Sequence, residues 1–275
     1  MGLVCGGEEP NLETELCENN NDGKEMRAIM RVQAWARGWA ARRRFRVAHS
    51  KHFAAAQYFK AEEQKETLAK DTKAADMKDG KRSYTYKCTG GVYDGDWKGG
   101  MRHGQGSMKW KDGACYEGQW DHGIAQGQGK FTSANGDVYI GKFAANYASG
   151  QGSMKLKENG TTYTGAWVKD QQHGQGEEIY ENGASFKGNF VEGRKNGLGL
   201  YKWTDNSMYE GELKNDVLHG FGHYTWADGR SYVGQWAQGK MHGVGSLTNK
   251  VSCYMGHYAE GVSEGYGTYK WLEKD

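Results

Sequence analysis

Residues 93–115 read YDGDWKGGMRHGQGSMKWKDGAC. Tyr93, Gly95 and Trp97 lie two apart, and in an extended strand such positions share a face, so the segment opens large-small-large on one side. Gly104 and Gly106 follow, the first eleven residues after Tyr93, and leave bare backbone across which an aromatic ring can lie. Further copies begin at Tyr116, Tyr139, Tyr163, Phe186, Tyr209, Tyr232 and Tyr254, at intervals of 23, 23, 24, 23, 23, 23 and 22 residues, each with Gly-x-Gly at the same offset. Between copies stand Asp112-Gly113, Asn135-Gly136, Asn159-Gly160, Asn182-Gly183, Asp205-Asn206 and Asp228-Gly229, dipeptides that predict tight primed hairpin turns. Each copy therefore reads as a β-hairpin that buries its aromatics against its neighbours. Eight copies would make an elongated, twisted antiparallel sheet about 75 Å long.

Composition supports an ordered but shallow architecture. Forty-three glycines stand against one proline, Pro10, which excludes collagen, and 10 Trp with 17 Tyr exclude a low-complexity disordered chain. A mean hydropathy of −0.90 argues against a deep central core. No stretch approaches 18 consecutive apolar residues and no apolar run follows Met1, so a cytoplasmic chain is expected. Cys5, Cys17, Cys88, Cys115 and Cys253 are odd in number and never in CxxC pairs, which predicts reduced thiols rather than a disulfide framework or a structural zinc site.

Charge divides the rest of the chain. Residues 1–23 form an acidic tail of net −6, and 24–60 carry +9. From Lys24 to Met77 there is no proline and one glycine, Gly38, so a long basic α-helix is expected over 24–79, stopped by Asp79-Gly80. Residues 80–92 read as a linker or first strand, 93–271 as the eight copies and 272–275 as the C-terminal end. Within 29–46, Ile29, Val32, Trp35, Trp39 and Phe45 give apolar anchors near helical spacing. Arg37 and Arg42 to Arg44 add positive charge, a combination that suits an acidic, Met-rich groove. The same face would also suit packing on the ribbon, anionic lipid or acidic tubulin tails.

The repeated Tyr-x-Gly-x-Trp and Gly-x-Gly registers resemble the MORN repeat family over about 93–271. That resemblance implies an elongated scaffold module of the kind found in ciliary spoke proteins, membrane-junction proteins and some lipid kinases. Copies five and six depart from it at Phe186, Phe190 and Leu213, and Thr248–Val251 lacks an Asp-Gly turn, so weaker stacking, or a partner covering the region, is expected there. The stretch from Val32 to Phe45 is similar to the IQ motif, which implies binding of calmodulin or a calmodulin-like EF-hand protein. By that resemblance Gln33 would bond the linker of the gripping lobe, Arg37 and Arg42 would pair with partner carboxylates, and Gly38 would admit the other lobe. Gly2 with Cys5 looks like a dual-acylation site, although residue 6 is Gly6 where the stricter pattern has Ser or Thr.

Catalytic chemistry is not expected. His103, His173, His219 and His242 each precede a Gly-x-Gly, but the same slot holds Gln126, Ser149, Asn196 and Glu264 elsewhere, which reads as structural. Histidines one copy apart would sit about 10 Å from each other, too far to share a zinc ion. The Gly-x-Gly pairs lead into no Lys-Ser/Thr helix and are not phosphate loops. The near-neutral ribbon offers no stripe for nucleic acid. The resulting expectation is a non-enzymatic scaffold without cofactor or metal, docked in a cytoskeletal assembly such as a ciliary axoneme and carrying an EF-hand subunit. The alternative is an acylated tether on a cytoplasmic leaflet.

Overall fold

A computed structural model describes residues 53–60, 63, 65, 66 and 79–272. Its core is a meander of seventeen antiparallel strands in one open, twisted sheet, each strand paired with the next in sequence. A first strand, β1 (Gly80–Thr85), precedes the copies. The copies are β2 (Val92–Lys98) with β3 (Met101–Lys109), β4 (Cys115–Asp121) with β5 (Ile124–Thr132), β6 (Val138–Ala144) with β7 (Tyr147–Lys155), and β8 (Thr162–Val168) with β9 (Gln171–Ile179). They continue as β10 (Ser185–Val191) with β11 (Arg194–Lys202), β12 (Met208–Lys214) with β13 (Val217–Thr225), β14 (Ser231–Ala237) with β15 (Lys240–Thr248), and β16 (Ser252–Ala259) with β17 (Val262–Trp271). The eight hairpins expected from the sequence are all present.

The two turns of each copy differ from the sequence expectation. Both central residues have positive φ in the turn inside each copy, as at Gly99 and Gly100 (55° and 73°) or Lys169 and Asp170 (49° and 66°), the mark of a type I′ turn. The Asp-Gly and Asn-Gly dipeptides instead close the three-residue loops between copies. Trp110 O accepts from Gly113 N at 3.0 Å, Trp110 N donates to Ala114 O at 2.9 Å, and Gly113 alone turns left-handed at φ 93°. This is a type I turn followed by one left-handed residue. The Asp112 carboxylate secures it by accepting from Ala114 N at 3.0 Å, and Asn182 repeats the contact to Ala184 N at the same distance. At the last junction Asn249 performs this task, accepting from the Val251 and Ser252 amides, and so replaces the missing Asp-Gly.

The paired glycines have separate reasons. In β2–β3, Gly95 lies opposite Gly106 but Trp97 opposite Arg102, so three residues of β3 face one of β2. Gly104 takes the left-handed conformation of that bulge, at φ 61°. Gly106 is extended and lies beneath the Tyr93 ring: a Cβ there would stand 2.5 Å from Tyr93 Cζ. Tyr93 folds back over Gly95 and Gly106 and donates its hydroxyl to Asp96 O at 2.9 Å. Tyr116, Tyr139, Tyr163, Tyr209 and Tyr232 make the same bond three residues on.

The core is therefore a line of rings on one face. Tyr93, Trp120, Tyr116, Phe143, Tyr139, Trp167, Tyr163 and Phe190 meet edge to face in succession, with centroids 4.9–5.4 Å apart. Such pairs contribute about 0.5–1.5 kcal/mol each beyond burial. The Trp120, Trp167 and Trp236 indoles also donate to Gly106, Gly152 and Gly222 of the preceding copy at 3.1–3.2 Å, which fixes the spacing between copies. Phe186 and Phe190 keep the edge-to-face geometry, whereas Leu213 interrupts it as expected. A second row, Tyr180, Tyr201, Trp203, Tyr224 and Trp226, runs past the gap with centroids 4.5–6.2 Å apart.

The unbroken helix expected over 24–79 does not form. Phe53–Lys60 is irregular apart from the 3-10 turn Ala55–Tyr58, and the chain lies across the aromatic face of the first copies. Burial of three rings there outweighs the helical propensity of the composition.

Candidate functional site

The segment carrying Phe53 to Glu66 is a strap on the ribbon. Phe53 packs against Phe131, Tyr139 and Trp167, and Tyr58 against Trp110 and Phe131. Phe59 meets Trp110, Tyr116, Trp120 and Phe143 at 5.4–6.4 Å. The strap thus runs opposite to the order of the copies, from the fourth back to the first.

Polar contacts fix its two ends. At one end Ala56 N donates to Asp170 Oδ2 at 3.0 Å while Ala148 N donates to Oδ1 at 2.6 Å. Asp170 is the second residue of a type I′ turn, and its burial raises the carboxyl pKa against the lowering effect of those amides. At the other end Glu63, fully buried, pairs with Arg102 at 2.9 Å and accepts from the Thr89 hydroxyl at 2.8 Å. The Arg102 guanidinium also donates to Gly123 O at 2.8 Å and lies 4.4 Å from the Trp120 ring centre. Every strong donor of this buried cation faces a partner, which its desolvation requires.

Glu66 closes the strap onto β1. It accepts from Lys87 N, Cys88 N and the Tyr84 hydroxyl, each at 2.9 Å. Partial burial acts to raise its pKa, but those donors stabilise the carboxylate more and lower it to about 2. A lowered folded pKa adds stability that is complete above the unfolded value and lost as pH falls through the folded one. The Lys87 and Cys88 amide resonances should therefore titrate with a midpoint near 2. A midpoint at the ordinary carboxyl value would refute the contact, and Glu66→Gln should abolish the transition. Asp170, with its raised pKa, works in the opposite sense and gives no acid release. The Cys88 thiol is pushed up by desolvation and by Glu66, which makes it a poor nucleophile.

On the other face of the sheet one position of the repeat is polar in the first half of the ribbon and apolar in the second. The residue between the two glycines is Gln105, Gln128, Gln151 and Gln175 in the first four copies and Leu198, Phe221, Val244 and Tyr266 in the last four. These last four are 67%, 56%, 50% and 97% exposed and occupy equivalent places on alternate strands. The change is written in the sequence registers themselves, at the residue between the two glycines of each copy.

Of the residues singled out from the sequence, Ile29, Val32, Gln33, Trp35, Arg37, Gly38, Trp39, Arg42, Phe45, Gly2 and Cys5 lie outside the described residues. His103, His173, His219 and His242 all stand just before a bulge glycine, as expected of a structural slot. The structure adds a neighbour that spacing did not suggest: the His103 and His122 rings lie 5.7 Å apart.

Stacked hairpins of about 23 residues, each sealed by a Tyr or Phe ring on a glycine pair, define a one-layer repeat ribbon. The MORN repeat family model matches residues 93–115, 116–138, 163–185, 186–208, 209–229, 232–250 and 254–271. The chain belongs to the MORN repeat family. Its third hairpin, β6–β7, falls between the matched segments yet keeps the same register and glycine contacts. MORN repeats suggest a repeat-based scaffold or adaptor. None of the curated proteins compared matches the chain. Among solved structures, the SAS-4 (dCPAP) TCP domain of Drosophila melanogaster, in complex with a proline-rich motif of Ana2 (dSTIL), is 13% identical. Its TM-score is 0.36 over 70% of this chain and 90% of that one. A mutant TCP10 domain of Danio rerio CPAP is 11% identical, with a TM-score of 0.25 over 64% and 93%. Likenesses this distant carry no argument about function.

Proposed function

We propose that the chain is a non-enzymatic scaffold that docks in a cytoskeletal assembly, such as a ciliary axoneme, and carries calmodulin or a similar EF-hand subunit on residues 29–46. The observation supporting the scaffold is the division of the faces. One face is filled by the ribbon's own rings and the strap, while the other displays Leu198, Phe221, Val244 and Tyr266. Exposed apolar side chains aligned over four copies fit a protein contact surface. The EF-hand role rests on the anchors and charges of 29–46 and their likeness to an IQ motif.

Calorimetric titration of the full chain with calmodulin, with calcium and with a chelator, tests the second half. Binding is expected in at least one condition and should weaken by about 100-fold or more when Gln33, Arg37 and Arg42 are all changed to Ala, as for loss of several charge-assisted bonds. No binding in either condition would overturn this half and favour the acylated tether, for which intact mass would show modified Gly2 or Cys5. For the first half, Phe221→Ser with Tyr266→Ser should leave the unfolding midpoint unchanged and abolish recruitment of the tagged chain to its assembly. Unaltered recruitment would refute the outer face as the docking surface.

A further inference from the structure

At the contact between the first two copies three metal-binding side chains converge. His103 projects from β3, Asp121 ends β4, and His122 opens the β4–β5 turn with φ 46°. Asp121 Oδ1 lies 3.4 Å from His103 Nδ1 and 2.7 Å from His122 Nδ1. One ligand atom from each residue can be chosen so that all lie within 4.8 Å of one another. Among the described residues no other group of His, Cys, Asp and Glu meets that condition.

We infer that His103, Asp121 and His122 bind a borderline divalent cation, Zn²⁺ above all. Tetrahedral zinc with bonds of 2.0–2.2 Å holds its ligand atoms about 3.3–3.6 Å apart. The 3.4 Å separation of His103 and Asp121 already falls in that range, the 2.7 Å contact of His122 and Asp121 opens to reach it, and the side chains are exposed enough to adjust by rotation about χ1 and χ2. Two imidazoles and one carboxylate suit zinc or cobalt better than magnesium or calcium, and the fourth position stays open to water. A second observation points the same way. His103 Nδ1 is shielded from solvent and makes no hydrogen bond among the described residues, its neighbouring carboxylate oxygen, Asp121 Oδ1, standing 3.4 Å away, so the nitrogen faces the cluster without a close partner.

The same place in other copies is a plain polar contact from the residue before the bulge to the next copy's turn. Gln126 Oε1 accepts from Ala145 N at 3.0 Å, and Asn196 Nδ2 donates to Asn215 Oδ1 at 3.2 Å. Only in the first pair of copies, among the described residues, do three ligand-bearing side chains meet at this contact, whereas His242 faces Glu260 alone. Arg102 and Gly123, which join in the clamp on the strap, are the chain neighbours of His103 and His122. A cation there would brace from the polar face the two segments that Arg102 and Glu63 hold from the aromatic face.

Cobalt is the probe. The full chain, stripped with a chelator and reduced, is titrated with Co²⁺ and then Zn²⁺. The His122→Asn variant keeps a residue that tolerates the left-handed turn, and Asp121→Asn removes the carboxylate. Wild type should take up one equivalent of Co²⁺ with the intense visible absorption of four-coordinate cobalt, displaced by Zn²⁺. Each variant should lose that equivalent, with affinity lower by about 100-fold or more, more than second-shell changes produce, while its metal-free unfolding midpoint matches wild type. Equal stoichiometry and spectrum in wild type and variants would overturn the site, as would a pale six-coordinate spectrum in wild type. A variant with a lowered metal-free midpoint is replaced by His103→Gln, which is judged by the same spectrum.

Discussion

Gly106→Val should destabilise the first copy by roughly 3–5 kcal/mol, the scale of losing a buried aromatic from a core. A Cβ at this position would stand 2.5 Å from Tyr93 Cζ and 2.6 Å from Cε2, so ring and side chain cannot share the site. The ring has nowhere to go. Tyr93 is wholly buried, edge-on to Trp97 at 5.1 Å and to Trp120 at 5.4 Å, with its hydroxyl committed to Asp96 O. Evicting it also disturbs the Trp120 indole that bonds Gly106 O, so the damage crosses into the second copy. Gly104→Ala, two residues away, should cost only about 1–2 kcal/mol, the strain of a left-handed alanine, because the side chain it meets is the movable Asp96 carboxylate. Hydrogen exchange of the full chain, compared copy by copy, separates the two. Equal effects would mean that both glycines serve the bulge and that the ring contact is incidental.

Glu63→Ala should release the strap, at a cost of about 3–5 kcal/mol, because it leaves a buried guanidinium without its counter-ion. Arg102 and Glu63 are 3% and 0% exposed, and water cannot replace the lost carboxylate without opening the site. Burying the pair is itself expensive, so Glu63→Leu combined with Arg102→Met should lie close to wild type. Limited proteolysis around Phe53 to Glu66 reads the release directly. Rapid cleavage is expected in Glu63→Ala and protection in the double variant. Wild-type protection in Glu63→Ala would show that the rings, with the contacts at Asp170 and Glu66, hold the strap without the buried pair.

Most of the ribbon was legible because its period is carried by residues with one structural use. Tyr93, Gly95, Trp97 and Gly106 occupy alternate positions, and no helix could group them on one side. The turns were misplaced for a physical reason. Asp-Gly suits a type I turn ended by a left-handed glycine as well as it suits a primed turn. The pairs that adopt the primed form, such as Ala145-Asn146 and Lys169-Asp170, are held there by the flanking strands rather than by local preference. The strap was hidden in helix-favouring composition, since Phe53, Tyr58 and Phe59 show no period and their partners lie more than fifty residues away. The repeat period does not mark His122, because it sits in a different slot from His103 and only the fold joins the two across a copy boundary.

The strap also imposes an order on synthesis. Phe53, Tyr58 and Phe59 leave the ribosome before any of the copies they cover, and Ala56 meets Asp170 across a separation of 114 residues. At about 5–20 residues per second the rings wait on the order of 6–20 s for a surface to receive them. Each hairpin can close on the one before it as soon as it emerges, but the strap must be kept from aggregating until 114 further residues have been made. A holding chaperone would cover that interval.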